Sequence, residues 1–241
     1  MCRIIVTILI YFILVSCTFI NPLKTVIINS SEKLEKIVEK SKKVVFFVRI
    51  KEKRIGGFVS FGTAFVFNEN GLLATVYHVI SNKYPIEVDV LIKEGDKTIF
   101  KKARWHISKK YKDLAILYID YKFKDIAKFR TGDLVSGEFL YSIGHPDAYN
   151  ILRDEKHYPP TISYGNFFRY IEYSQLTFIK DTIVQLSTVS IRGGSSGSPM
   201  FDKNGNIVGI NSSVISGKND FALTISIPIK YLINFFSPKS F

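Results

Sequence analysis

The chain of 241 residues is long enough for one large domain or two small packed ones, and its 46% hydrophobic residues can fill a core. Its 33 Lys and Arg against 21 Asp and Glu give a net charge of +12, which favours encounter with anionic surfaces. The basic residues form neither a long run nor an aromatic-interleaved RNA motif, so specific nucleic-acid binding is not predicted.

The chain begins with one positive residue, Arg3, and then an apolar run over residues 4–15. A run of about a dozen apolar residues is too short to span a bilayer comfortably and is typical of a secretory signal. The alternative is an uncleaved anchor that continues through Phe19 and Ile20. Both interpretations predict an exported protein held at a membrane.

The end of this segment, Leu14-Val15-Ser16-Cys17, resembles the lipobox of bacterial lipoprotein signals. The resemblance implies a signal peptide over residues 1–16, lipidation of Cys17 and a place in the bacterial cell envelope, with secretion as the alternative fate. Cys2 is the only other cysteine, so the folded part is predicted to be stable without disulfides.

Residues 17–43 are predicted to be a tether that ends in a short amphipathic helix, because Leu34, Ile37 and Val38 follow helical spacing. From residue 44 onward short β-branched and aromatic runs alternate with turn signals such as "NENG" and "DKNGN". This alternation predicts an all-β fold. Charged residues interrupt the strand pattern over residues 121–133 and divide the β region into two halves. Two six-stranded antiparallel barrels therefore fit, at about 44–125 and about 130–228. "PIKYLINFF" predicts a closing helix.

Three stretches of the sequence suit nucleophilic catalysis by serine. His78 follows an apolar run, Asp113 stands at the start of the apolar strand "LAIL", and "GSSGSP" offers three serines, Ser195, Ser196 and Ser198. An acid at such a position is costly unless it has a partner. A serine nucleophile needs a base for its proton, an acid to orient the base, and donors for the oxyanion.

The chain resembles chymotrypsin-fold serine proteases of the bacterial high-temperature-requirement (HtrA/Deg) type. The order His, Asp, Ser is that of chymotrypsin. The resemblance runs from about Val44 to Phe236 and is carried by four motifs in order: "FGTAFVFNENGLLATVYHVI", "KDLAIL", "YSIGHP" and "GSSGSPMFDKNGNIVGIN".

The resemblance implies that residues 44–241 form a trypsin-like serine protease domain that cleaves protein or peptide substrates. His78 would be the general base and acid, Asp113 would orient it, and Ser196 would be the nucleophile. The N–H groups of Gly194 and Ser196 would form the oxyanion hole. Ser195 and Ser198 do not fit the register of the Gly-x-Ser-Gly-x-Pro pattern.

Two departures from related patterns bear on regulation. Ser195 stands where trypsin-like zymogens carry an aspartate that pairs with a newly cleaved N-terminus, so activation of that kind is not expected. The chain ends at Phe241, so the PDZ domain usual in HtrA proteins is expected to be absent.

The specificity pocket is only partly predicted. Ser190 is expected near its floor, and Asn211, Ser212 and Ser213 are expected in its wall. These positions carry neither an acid nor a histidine, so a small or medium apolar substrate residue is favoured over Arg, Lys or Glu. Arg192 beside the loop could favour acidic substrate neighbours, although a solvated charge is the simpler interpretation.

The other histidines, His106, His145 and His157, lie in a strand, a turn and a polar loop without metal-ligand spacing, so neither a metal nor a cofactor is predicted. The oligomeric state is not predicted. Two rival functions remain open: a catalytically silent, protease-like surface or adhesion lipoprotein, and an esterase that uses the same three residues.

Overall fold

The structure is a computed structural model that describes residues 32–94, 97–147, 159–173, 179–180, 182–216 and 222–236, with the backbone alone for residues 105 and 106. The predicted signal peptide and Cys17 lie outside the described residues. Helix α1 covers residues 32–42, within the segment whose spacing predicts a helix. No helix in the described ranges has the length and apolar character needed to cross a membrane.

The first half of the β region is a seven-stranded antiparallel sheet in the order β5-β4-β1-β2-β3-β7-β6. Its elements are β1 (Val45–Glu52), β2 (Phe58–Val66), β3 (Leu72–Thr75), helix α2 (Tyr77–Ile80), β4 (Ile86–Glu94), β5 (Lys97–Lys102), β6 (Trp105–Lys109) and β7 (Leu114–Tyr118). Ala103 and Arg104 alone separate β5 from β6, and their N–H groups donate to Val88 in β4 and Tyr118 in β7. The bend carries the chain from one edge of the sheet to the other, so β5 and β6 act as one strand that closes the sheet.

The second half is a closed barrel. Its elements are β8 (Lys128–Phe129), β9 (Phe139–Gly144), β10 (Thr161–Tyr173), β11 (Thr182–Ser187), β12 (Pro199–Asp202), β13 (Asn206–Ser216), β14 (Ala222–Pro228) and helix α3 (Ile229–Phe236). The strand order is β12-β9-β10-β11-β14-β13-β8, and β12 also pairs with β13, so six strands form a ring and β8 joins β13 in parallel from outside. The predicted all-β, two-barrel fold with a C-terminal helix is confirmed.

Side-chain caps form the tight turns that the sequence signals predict. Asn68 Oδ1 in "NENG" accepts the N–H groups of Asn70 and Leu72 between β2 and β3. Asp202 Oδ1 in "DKNGN" accepts those of Asn204 and Asn206 between β12 and β13. Because these bonds are local, they fix both hairpins from short-range sequence.

An ion-pair cluster ties the start of the second barrel together. The guanidinium of Arg130 pairs with Glu138 and lies 3.4 Å from a carboxylate oxygen of the buried Asp202. The hydrogen bond with Glu138 raises the pKa of Arg130 and lowers the pKa of Glu138. The cluster therefore favours the charged form of each partner.

Both barrels have apolar interiors, and both belong to one compact unit, Ser41–Phe241. Fully buried side chains include Val48, Phe65, Leu73 and Ile116 in the first barrel and Val184, Phe201, Ile210 and Ile225 in the second. Aromatic contact joins the two, since the rings of Phe47 in β1 and His145 after β9 lie 5.6 Å apart. The loop that carries the predicted nucleophile, residues 188–198 between β11 and β12, is called the nucleophile loop and borders this junction.

Candidate active site

Three different elements carry the residues predicted for catalysis. His78 lies in the single turn of α2, which Val79 and Ile80 anchor in the core while His78 stays partly exposed. Asp113 immediately precedes β7 and has a φ of +50°, a left-handed conformation that Asp tolerates better than most residues. Ser196 lies in the nucleophile loop, in the second barrel.

Asp113 is fully buried and accepts three hydrogen bonds. Its Oδ1 accepts the backbone N–H of His78 at 2.9 Å, and its Oδ2 lies 2.8 Å from the Nδ1 of the same histidine. The hydroxyl of Ser212 donates to Oδ2 at 2.5 Å. These donors offset the cost of burying a carboxylate, which is large when no partner is present.

This arrangement sets the tautomer of His78. An ionised carboxylate can only accept, so Nδ1 must carry the proton that points to Asp113. A neutral imidazole protonated on Nδ1 leaves Nε2 unprotonated. Asp113 thus leaves on His78 the nitrogen that a general base needs.

Ser196 is partly exposed, and its hydroxyl donates to the carbonyl oxygen of Ser212 at 3.2 Å. A serine hydroxyl has a single proton to donate. Transfer of that proton to His78 therefore requires the hydroxyl to leave the Ser212 carbonyl. Ser212 thus contacts two of the three predicted catalytic residues: its hydroxyl binds Asp113, and its carbonyl accepts the hydroxyl of Ser196.

The peptide groups of the nucleophile loop are held from several sides. The N–H groups of Ser195, Gly197 and Ser198 donate to the carbonyls of Arg192, Asn211 and Ser195, respectively. Within the described residues, the N–H groups of Gly194 and Ser196 have no hydrogen-bond acceptor.

Two carbonyl contacts orient these unused N–H groups. The carbonyl of Gly193 accepts the N–H of Asp147 at 2.7 Å, and that of Ser195 accepts the N–H of Ser198 at 2.9 Å. In a trans peptide the C=O and N–H point in opposite directions. Gly194 and Ser196 therefore direct their N–H groups away from these partners.

The first barrel holds the same loop through Thr63 in β2. The N–H of Thr63 donates to the carbonyl of Ser196 at 2.9 Å, and its hydroxyl donates to the carbonyl of Gly194, also at 2.9 Å. No sequence motif singles out Thr63, which shares the mainly apolar strand β2 with a second hydroxyl residue, Ser60.

Glycine is required at two positions of the loop. Gly194 has a φ of +93°, and a Cβ there would lie 2.3 Å from the carbonyl oxygen of His145. Gly197 has a φ of +85°, and a Cβ there would lie 2.2 Å from the carbonyl oxygen of Thr63. A side chain at either site would collide with backbone, which accounts for both glycines of the "GSSG" sequence.

The residues predicted for substrate binding have different surroundings. Ser190 borders a cavity of about 280 Å³ that Ser195 and Arg192 also line. Asn211 is fully buried, and its amide nitrogen donates to the hydroxyls of Ser142 at 2.7 Å and Ser198 at 2.9 Å. The Asn211 side chain is thus occupied inside the second barrel.

The other two predicted wall residues lie next to Asn211 on β13. The hydroxyl of Ser212 is bound to Asp113, a contact that the sequence does not predict. The hydroxyl oxygen of Ser213 is buried without a hydrogen-bond partner in the described part of the chain. Their part in a specificity pocket remains a prediction.

His145, predicted to be an ordinary turn residue, is buried at the junction of the barrels. Burial lowers the pKa of His145 to about 3, so its ring is neutral at physiological pH. His106 lies in β6, and His157 lies outside the described residues. The described residues contain no cluster of three or more His, Cys, Asp or Glu side chains suited to a metal ion.

Comparison with solved structures gives the class of fold. The structure of Deg5 superposes with a TM-score of 0.65 at 18% identity, over 85% of this chain and 92% of that one. The HtrA-type protease AlgW with tripeptide gives a TM-score of 0.67 at 22% identity, over 83% of this chain and 61% of that one. The two-barrel architecture is thus shared with HtrA-type proteases.

Sequence comparison gives the family. The model described as the trypsin-like peptidase domain matches residues 62–210, and the chain belongs to this family. Serine protease HTRA1B of Danio rerio is 27% identical over 193 residues, which cover 78% of this chain and 38% of that protein. A probable periplasmic serine endoprotease, DegP-like, of Pseudomonas putida (strain W619) is 26% identical over 181 residues, with coverages of 73% and 34%. The chain spans little more than a third of the length of these curated relatives.

Proposed function

We propose that this protein is an exported, membrane-tethered serine endopeptidase that hydrolyses peptide bonds through an acyl-enzyme intermediate. The observation that carries the proposal is the fully buried Asp113, which holds both the ring and the backbone of His78. Membership of the trypsin-like peptidase family supports it.

In the proposed first half-reaction, the Oγ of Ser196 attacks the scissile carbonyl carbon and its proton passes to Nε2 of His78. The N–H groups of Gly194 and Ser196 stabilise the oxyanion, and each such donor typically contributes about 3 kcal/mol. His78 then gives its proton to the leaving nitrogen as the C–N bond breaks. Asp113 stays ionised and stabilises the imidazolium.

In the second half-reaction, water gives a proton to His78 and attacks the acyl carbon. The C–O bond to Ser196 breaks, and the proton returns from His78 to Oγ. The products are a carboxylic acid and an amine, and the enzyme is regenerated without a metal or cofactor.

Labelling with a fluorophosphonate probe tests the chemistry. We expect the native protein to label, and Ser196→Ala and His78→Ala to lose labelling. Ser195→Ala is the matched control, because it removes the neighbouring hydroxyl and should retain labelling. A folded native protein that never labels would overturn the enzyme proposal and favour the silent adhesion protein.

Casein digestion then separates protease from esterase, since an esterase would turn over small esters without cleaving casein. We propose small or medium apolar residues as the preferred substrate side chains, because the predicted pocket positions carry no acid and no histidine.

Export and tethering rest on the N-terminal sequence and on the periplasmic DegP-like relatives. We propose a place in the bacterial cell envelope, with lipidated Cys17 as the anchor. The mass of the mature N-terminus tests this, and an unmodified first residue other than Cys17 would contradict it.

A further inference from the structure

Thr63 contributes every polar group it has to hydrogen bonds at the junction of the barrels. It is fully buried in β2. Its hydroxyl donates to the carbonyl of Gly194 at 2.9 Å and accepts the backbone N–H of His145 at 3.1 Å. Its N–H donates to the carbonyl of Ser196, and its carbonyl accepts the hydroxyl of Thr75 at 2.8 Å.

The hydroxyl also lies 3.4 Å from Nδ1 of His145, but the directions of its two bonds to backbone groups are fixed. A backbone carbonyl can only accept and a backbone N–H can only donate, so the single proton of the hydroxyl must point to Gly194. One oxygen atom therefore links β2 of the first barrel to two separate segments of the second.

Both segments bear on the same N–H group. The first is Gly194 itself, whose carbonyl orientation the hydroxyl fixes directly. The second is the turn from His145 to Asp147, whose last N–H holds the carbonyl of Gly193. That carbonyl and the N–H of Gly194 belong to one peptide group. The hydroxyl therefore holds the peptide group after Gly194 directly and the peptide group before it through the turn.

We propose that Thr63 is a positioning residue for the oxyanion hole, because its hydroxyl holds Gly194 and the turn at His145. The inference rests on the proposed function, because it assigns Thr63 to the same hydrolytic site. It predicts that loss of the hydroxyl slows the chemical step while the binding of a substrate or probe stays unchanged.

Thr63→Val isolates the hydroxyl, because valine has nearly the same shape and keeps the backbone bonds to Ser196 and Thr75. The rate of fluorophosphonate inactivation is measured as kinact and KI. Removal of an oxyanion donor costs about 10²-fold to 10³-fold, and a displaced donor should cost less, so we expect kinact to fall by about tenfold or more. KI should stay the same, because donors used only in the transition state do not change ground-state binding.

Thr63→Ser retains the hydroxyl and should restore kinact. Thr182→Val is the matched control, because Thr182 is a buried threonine on β11 whose hydroxyl bonds to Lys180 and Lys112 rather than to the nucleophile loop. It should lower the melting temperature without changing kinact. If Thr63→Val does not fold by circular dichroism, Thr63→Ala removes the same hydroxyl without adding bulk.

Four outcomes would overturn the inference. Native-like kinact in folded Thr63→Val would exclude a positioning role while leaving the proposed function intact. So would an equal loss in Thr63→Ser, or a change confined to KI. Absence of labelling in the native protein would overturn the proposed function and this inference with it.

Discussion

The adjacent glycines of the nucleophile loop, Gly193 and Gly194, allow a paired test of whether the conformation of the loop supports the proposed activity. A Cβ at residue 194 would lie 2.3 Å from the carbonyl oxygen of His145, at a φ of +93°. A Cβ at residue 193 would meet nothing within 4 Å, and its φ is not in the left-handed region. Alanine should therefore be excluded at residue 194 and accommodated at residue 193.

The magnitudes follow from this geometry. A non-glycine residue held at such a φ costs about 1–3 kcal/mol. The atom in collision is backbone, so the loop must shift, and the N–H of Gly194 moves with it. Loss of one oxyanion donor lowers kcat by about 10²-fold to 10³-fold, so we expect at least about a hundredfold loss in Gly194→Ala.

Gly193→Ala should behave differently. Its activity should stay within about twofold of native, the size of effect expected for an unobstructed surface substitution. Its melting temperature should be unchanged or slightly higher, because alanine restricts the unfolded chain and contributes about 0.4–1 kcal/mol where it fits.

The measurements are the rate of fluorophosphonate labelling, casein turnover and thermal unfolding by circular dichroism. Folded Gly194→Ala with native activity would refute the reasoning, because the loop would then tolerate the displaced peptide. An equal loss in both variants would also refute it, since residue 193 has room for a side chain.

Three further predictions concern buried or paired ionisable groups. Asp113→Asn should lower kcat by about 10⁴-fold with the fold retained, because an amide cannot fix the required tautomer of His78; full casein turnover would contradict this. Burial lowers the pKa of His145 from 6.5 to about 3. As the pH falls through this range only the unfolded state gains the proton, so the free energy of unfolding falls by about 1.4 kcal/mol per pH unit. The denaturation midpoint of His145→Gln should therefore change less than that of the native protein between about pH 7 and about pH 5, and an equal change would contradict the assignment. Arg130 lowers the pKa of Glu138 below 4.5, so this pair stabilises the fold above that pH, and the stabilisation is lost as acid protonates Glu138. Arg130→Met should therefore lower the melting temperature at neutral pH and make the melting temperature fall less steeply as the pH is lowered.

The sequence was sufficient for the fold class because its signals are local. Alternating apolar runs predict strands, and the caps at Asn68 and Asp202 lie within a few residues of the groups they bind. His78, Asp113 and Ser196 could be selected because each stands in a short motif that resembles the HtrA-type pattern, and the motifs follow in the order His, Asp, Ser. The structure brings His78 and Asp113 into direct contact.

The supporting contacts could not be predicted, because they depend on how distant segments meet. Ser212 is predicted to lie in a pocket wall, yet its hydroxyl binds Asp113 at a separation of 99 residues. Thr63 and Gly194 are 131 residues apart. Serine and threonine are common in strands, so neither residue carries a signal in the sequence alone.

The hydrogen bonds from Thr63 to Gly194 and Ser196 also bear on when the proposed activity can arise during folding. Thr63 lies in the first barrel, and both of its acceptors lie in the second. Contacts between residues so far apart in sequence carry a high entropic cost of loop closure. Within the two sheets, the described strands of each barrel pair only with one another. A newly made chain would thus gain the proposed activity only after both barrels had formed and docked.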